Sequence, residues 1–234
     1  MLKKVFVLGV LAVFALLLFR SFGWMDAGTE LNQVATRYAE DGPQEVGAAN
    51  LVTAVIVTYR GLDTLGEVTI LFLTASIIGF FLATGREEEN LSPKVRNTSE
   101  ILQTASRVIT PVIFLIGIYV FINGHLTPGG GFQGGAIVAS GLVLMLLANP
   151  GRKVSHSLIS AVESISGISF VLLGILGIIL ASGFLDNSIL GLGRFGELFS
   201  AGAIPVIYIF VGLKVGSELS GIVSNLQQTN KEDI

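Results

Sequence analysis

A few ionisable side chains interrupt a chain that is otherwise built for apolar surroundings. Arg60, Asp63 and Glu67 are spaced i, i+3, i+7 and share one face if their segment is helical. Glu163 falls about two turns inside an apolar run, counting from Arg152 and Lys153, and Lys214 and Glu218 stand about one turn apart in the last such run. A carboxyl or ammonium group at membrane depth must be neutralised, paired or hydrated, so each of these is a candidate proton or cation relay. Each also has a plainer reading. The first three can form a charge cluster that snorkels at a helix end. Glu163 can be satisfied by Ser160, Ser164 and Ser166, and Lys214 with Glu218 makes an i, i+4 ion pair. His125, with an ordinary pKa of about 6.5, suits proton transfer, yet beside a turn it serves equally as a structural donor to backbone carbonyls.

The elements that must position these groups follow from composition. Of 234 residues, 51% are hydrophobic and only 13% charged, and mean hydropathy is +0.76. This excludes an ordinary soluble domain and predicts an all-α, multi-pass membrane protein. At about 20 apolar residues per crossing, the candidate spans are residues 5–19 (continuing to Trp24), 69–83, 101–122, 134–148, 158–181 and 199–223. The first of these reads as an anchor rather than a cleaved signal, because an interfacial tryptophan and no small-residue cleavage site follows it. Residues 47–59 are apolar but short. If they cross, there are seven spans. If they are interfacial or re-entrant, there are six, and Lys3, Lys4, Arg86, Lys94, Arg96, Arg152 and Lys153 all lie on one side. The preference of lysine and arginine for cytoplasmic loops selects six spans with both termini inside. The acidic loop 26–45 and the glycine-rich loop then face outward.

The longest polar interruption, residues 86–100, separates two units, 1–92 and 93–234, with Asn97 and Glu100 spaced as a helix cap. The chain has no cysteine and two histidines, so no disulfide, thiolate cluster or multi-histidine metal site is expected, and no cofactor in this chain. Phosphate loops, nucleophile elbows and any sign of nucleic-acid binding are absent from the sequence. Clustered catalytic groups are absent too. Pro111 and Pro205 are expected to kink their helices. Gly212, Gly216 and Ser220 form a small-residue ridge about 200° around the last helix from Lys214 and Glu218, placing that helix between a protein neighbour and a polar path.

The run His125-Leu-Thr-Pro-Gly-Gly-Gly-Phe-Gln-Gly-Gly135 lies between two apolar stretches, where irregular backbone is tolerated only if buried in protein or lining a watery cavity. With its flanks, Asn123 to Ala136 and the preceding Thr110-Pro-Val, it resembles the signature of the B subunit (MnhB) of Mrp-type multisubunit sodium/proton antiporters, a likeness covering roughly residues 101–226. Asn50-Leu-Val-Thr-Ala-Val-Ile-Val-Thr-Tyr-Arg-Gly-Leu-Asp-Thr-Leu-Gly-Glu67 is similar to the carboxyl-terminal tail of the large A subunit, which stands alone as the E subunit of membrane-bound hydrogenases. The resemblance implies two small subunits fused, the first over residues 1–92 and the second over 93–234. It implies an Mrp module in a complex I-related, ferredoxin-dependent assembly of the membrane-bound hydrogenase or sulfur-reducing kind. A scaffold subunit of a free-standing antiporter is the alternative. Sodium ions and protons would be cargo. Any iron–sulfur or nickel sites would lie on partner subunits, among them a large antiporter-like subunit, other Mrp-type subunits and hydrogenase-like or complex I-like subunits, all at the cytoplasmic (inner) membrane. Residue by residue, Asp63 and Glu67 match the acidic positions of the tail motif, and His125, Thr127, Pro128, Gly129, Gly131, Phe132, Gln133 and Gly134 match the B-subunit motif. Glu67 and Glu163 are expected to be the titratable relay groups, and the glycine-rich turn to be a backbone-lined or tightly packed element at a subunit contact.

Overall fold

The computed structural model describes residues 2–24, 31–84, 98–152 and 154–229. These residues contain six helices long and apolar enough to cross a membrane. We label them α1 (Leu2–Trp24), α2 (Gly61–Thr84), α3 (Glu100–Ile122), α4 (Gly131–Ala148), α5 (His156–Leu180) and α6 (Ile204–Thr229). The six expected spans are therefore present, and the described residues contain no strand. The chain divides into two compact units, residues 1–37 and 38–234. The first holds α1 and a short helix, Gln33–Thr36, started by the Asn32 side chain accepting from the Ala35 amide. The expected boundary at 92/93, Asn97 and the basic residues Arg86, Lys94, Arg96 and Lys153 lie outside the described residues.

In the second unit, α6 packs against α2, α3, α4 and α5, and α3 packs along α4. Sequence explains where these helices start. Ser99, rather than Asn97, caps α3 by accepting from Leu102 N at 3.2 Å, and Ser155 caps α5 by accepting from Leu158 N at 3.3 Å. The glycine run is not an irregular break throughout. Its second half is the first turn of α4, which starts three residues before the expected Gly134. Glycine is required there by close approach: a Cβ on Gly134 would stand 2.6 Å from the Gly117 carbonyl oxygen of α3, and one on Gly135 would stand 2.7 Å from the Gly212 carbonyl oxygen of α6. The small-residue ridge of α6 thus finds its neighbour inside the chain rather than on another subunit. Gly129, at φ +150° and with Val120 pressed against it, supplies the turn before α4.

Pro111 lies inside α3, as expected. Pro205 does not kink a helix, because α6 begins at Ile204 and a proline in a first turn gives up an N–H that has no helical partner. Residues 51–59 form a short helix, Leu51–Thr53, followed by a wider turn, Ala54–Tyr59. At about 1.5 Å per residue they cannot span a core about 30 Å thick. Instead Thr53, Ala54 and Val57 are fully buried, which fits an interfacial or re-entrant segment.

Candidate functional site

The charges expected separately in α5 and α6 meet in one place. Lys214 lies ten residues into α6, about 15 Å along its axis. Its Nζ is 2.7 Å from Glu218 Oε1 and 3.2 Å from Glu163 Oε1, and it sits 4.6 Å from the centre of the Phe72 ring of α2. The i, i+4 pair is real, but it is only part of a carboxylate–ammonium–carboxylate triad. Gly167, one turn beyond Glu163 on α5, makes room for it: a Cβ there would stand 3.3 Å from Lys214 Cε. The two acids differ in surroundings. Glu218 is fully enclosed and its Oε2 has no hydrogen-bond partner, while the Glu163 side chain is 26% exposed. Ser166 does not satisfy the Glu163 carboxylate, since its hydroxyl donates to the backbone carbonyls of Val162 and Glu163.

Two acids and one base at mid-span cannot all be ionised and remain neutral. With Lys214 charged, one carboxyl must hold a proton or a bound cation, or carry an uncompensated charge in a medium that penalises it heavily. Lys214 can accompany either acid. Through Lys214 the arrangement joins an enclosed carboxyl to one that reaches the surface of the chain.

Arg60, Asp63 and Glu67 do not form one cluster. Arg60 precedes α2 with φ −124° and ψ 38°, off the helical track, and its Nε pairs with Asp63 at 2.5 Å. Both side chains are at least half exposed, a geometry that contributes little to stability. Glu67 is exposed on α2 and makes no ion pair among the described residues. α2 runs continuously from Gly61 through Gly66 to Thr84.

His125 belongs to a second assembly, at the end of the bundle where α3 and α5 finish and α2, α4 and α6 begin. Asn50 ties the segment 51–59 to the glycine-rich turn: its Nδ2 donates to the carbonyls of Gly124 and Thr127 at 2.8 and 3.0 Å, and its N–H donates to the His125 carbonyl at 3.0 Å. Thr53 Oγ1 also donates to the Gly124 carbonyl at 2.7 Å and accepts from the Tyr208 hydroxyl at 2.9 Å. Asn187 Nδ2 holds the carbonyls of Val46 and Ala201 at 2.8 and 3.1 Å. The His125 ring is completely buried, with Nε2 3.4 Å from the Glu197 carbonyl and Nδ1 unpartnered. Burial pushes its pKa below 6.5, although backbone contacts from Glu197, Leu198 and Ile122 oppose the shift. Thr127 closes the turn on Asn123, Pro128 and Gln133 are exposed, and Phe132 packs on the core. The motif is therefore tightly packed, and its close contacts are with this chain's own α3, α6 and the segment 50–59.

Sequence reasoning missed Phe72, Gly167, Asn50, Thr53, Tyr208 and Asn187. Asn50 carries a local signal, as an asparagine before an apolar helical turn, where it accepts from Val52 N. The others carry none, because their roles depend on contacts with distant segments. Among the described residues no group of three histidine, aspartate or glutamate side chains could hold a metal ion.

Residues 101–221 match the family described as a domain related to the MnhB subunit of Na+/H+ antiporter. A chain of the membrane-bound sulfane sulfur reductase, an archaeal respiratory membrane complex, is 38% identical and superimposes with a TM-score of 0.81, covering 97% of this chain and 98% of that one. A chain of the Mrp complex from Dietzia is 25% identical with a TM-score of 0.74, over 96% of this chain but 26% of its own length. The B subunit of the Na+/H+ antiporter of Bacillus subtilis is 38% identical over 81 residues, which is 35% of this chain and 51% of that protein. This chain thus spans about half of the Bacillus protein and about a quarter of the Dietzia chain.

Proposed function

The chain belongs to the family of MnhB-related subunits of sodium/proton antiporters, and from that premise we propose that its own triad carries protons or sodium ions within an Mrp-type module of a respiratory membrane assembly. The observation that carries this reading is the surplus acid at mid-span: Glu163 and Glu218 share Lys214, and the carboxyl with the unpartnered oxygen is the enclosed one. A load arriving at Glu163 displaces Lys214 toward Glu218, and a load leaving lets it return. The Phe72 ring, 4.6 Å from the ammonium, provides a face that stabilises Lys214 between the two acids. Glu67, exposed on α2, is a second relay group at the surface of the chain, where a neighbouring subunit would meet it.

The partners we propose are a large antiporter-like subunit and other Mrp-type membrane subunits. The Dietzia chain extends well beyond the part this chain covers, which supports a separate large subunit here. Likeness along nearly the whole chain to a subunit of a sulfane sulfur reductase supports a sulfur-reducing or hydrogenase-like machine as the attached oxidoreductase. Its redox centres would lie on other subunits, and the membrane would be the cytoplasmic one.

Sealed vesicles containing the whole assembly test the triad. Glu163→Gln and Glu218→Gln keep side-chain shape but remove an acid, and each is expected to slow exchange by about a hundredfold, the lower end of what a positioned proton-transfer group contributes. Subunit composition should be unchanged. Exchange at the parental rate in both variants would make the triad a structural ion pair and the chain a scaffold.

A further inference from the structure

A cavity of about 720 Å³ opens between α3 and α4 at the end of the bundle opposite His125, away from the triad. Its size lies in the range of about 300–1,000 Å³ typical of small-molecule sites. The wall mixes charged and apolar groups. Gln103 and Met145 each lie about 4.5 Å from the helix ends at the mouth, with Arg152 in the loop beyond α4, while Arg107 stands about 10 Å and Phe114 about 21 Å along α3 from Glu100. The mouth is held open by fixed contacts: Thr98 Oγ1 donates to the Ala148 carbonyl at 2.5 Å and accepts from Gln103 Nε2 at 3.1 Å, joining the start of α3 to the end of α4.

Three features point to a ligand with a negative head and an apolar tail. Arg107 and Arg152 are exposed and neither has a carboxylate partner among the described residues, so both guanidinium groups are available to an anion at the cavity. Thr110, which is 6% exposed and lines the cavity, has a hydroxyl oxygen with no hydrogen-bond partner. Pro111 removes the amide that would have bonded the Arg107 carbonyl, leaving a polar backbone group beside that threonine. A hydrophilic anion would use the arginines but leave Phe114 and Met145 against water. A neutral lipid would fill the apolar part but leave the arginines unpaired.

We infer that this cavity between α3 and α4 binds an anionic phospholipid, with its phosphate on Arg107 and Arg152 and the start of an acyl chain against Phe114 and Met145. Basic pockets between membrane helices at the headgroup level suit such lipids because charge pairing and chain burial act together. The lipid would seal a polar gap that the helices themselves do not close.

The test uses the complete detergent-solubilised assembly, stripped of lipid and titrated with dioleoyl-phosphatidylglycerol, dioleoyl-phosphatidylcholine or inorganic phosphate while bound lipid is read by native mass spectrometry. Phosphatidylglycerol should bind the parental protein preferentially. The double substitution Arg107→Gln, Arg152→Gln should weaken that binding by about thirtyfold, as expected for two lost charges near a membrane surface. The corresponding lysine pair should restore most of it, and Arg194→Gln, at the other end of the bundle, should leave it unchanged. Equal binding of the two lipids, or parental binding in the glutamine pair, overturns the proposal. Displacement of phosphatidylglycerol by millimolar inorganic phosphate overturns it in favour of a free anion. Loss of a subunit from the glutamine pair, with lipid binding unaltered, overturns it in favour of an acidic protein partner.

Discussion

Glu163 and Lys214 meet with Oε1 and Nζ 3.2 Å apart, although 51 residues separate them in the chain. The two differ in burial, and the glutamate is the one that reaches the surface. The pair therefore links the enclosed Glu218 to the outside of α5. If this link conducts charge, Glu163→Gln and Glu218→Gln should resemble each other in transport, yet differ in stability. Glu218→Gln leaves Lys214 paired with Glu163, whereas Glu163→Gln leaves a single enclosed pair. Thermal melting of the assembly alongside vesicle exchange separates the two effects.

Glu67 is tested apart from the triad because no cation holds it among the described residues. As a relay at the chain surface, Glu67→Gln should abolish exchange while leaving subunit composition unchanged, and Glu67→Asp should retain part of it, since an ionisable carboxyl remains with shorter reach. Parental exchange rates in Glu67→Gln would show the residue to be a snorkelled anchor.

The glycines at the start of α4 are expected to be intolerant of a single methyl. In Gly134→Ala the new Cβ meets a backbone oxygen of α3 at 2.6 Å, and in Gly135→Ala it meets one of α6 at 2.7 Å. Backbone cannot swing aside as a flexible side chain can, so each substitution should cost about 1–3 kcal/mol by overpacking. Gly66→Ala is the control, because a Cβ there meets nothing within 4 Å, and it should leave the melting temperature unchanged or raise it. Melting in detergent distinguishes these outcomes.

His125 should make stability fall on acidification. Its folded pKa lies below 6.5 because burial disfavours the charged ring, so below 6.5 the unfolded chain binds the proton that the folded chain refuses. Stability from this group is complete above pH 6.5 and is lost as pH falls from there toward the folded pKa. The melting temperature of the parental protein, measured from about pH 7.5 down to about pH 5 to cover the ordinary histidine range, should decline more steeply than that of His125→Gln. Parallel curves would remove the histidine from the account.

Orientation is open to cysteine labelling without background, since the chain has no cysteine of its own. With both termini cytoplasmic, a cysteine in place of Glu40 should react with an impermeant reagent from outside intact cells, and one in place of Arg152 should not. The reverse pattern would invert the topology.

The helical class and the six spans were legible from residue order, because twenty consecutive apolar residues satisfy a bilayer wherever they occur and need no distant partner. The motif around His125 was legible for the same reason, as a contiguous run. Local chemistry also announced that Glu163, Lys214 and Glu218 needed company, since a charge among apolar neighbours is anomalous on its own. Which groups supply that company was decided only by tertiary structure. Glu163 joins Lys214 because α5 and α6 pack with Gly167 at their contact. Asn50 reaches Gly124 across 74 positions, and Asn187 reaches Val46 across 141. Periodicity assigns a residue to a face of its own helix, but the opposing face depends on how helices far apart in the chain fit together. The same limit explains Glu67, whose spacing from Arg60 suggested a partner that the turn before α2 instead gives to Asp63.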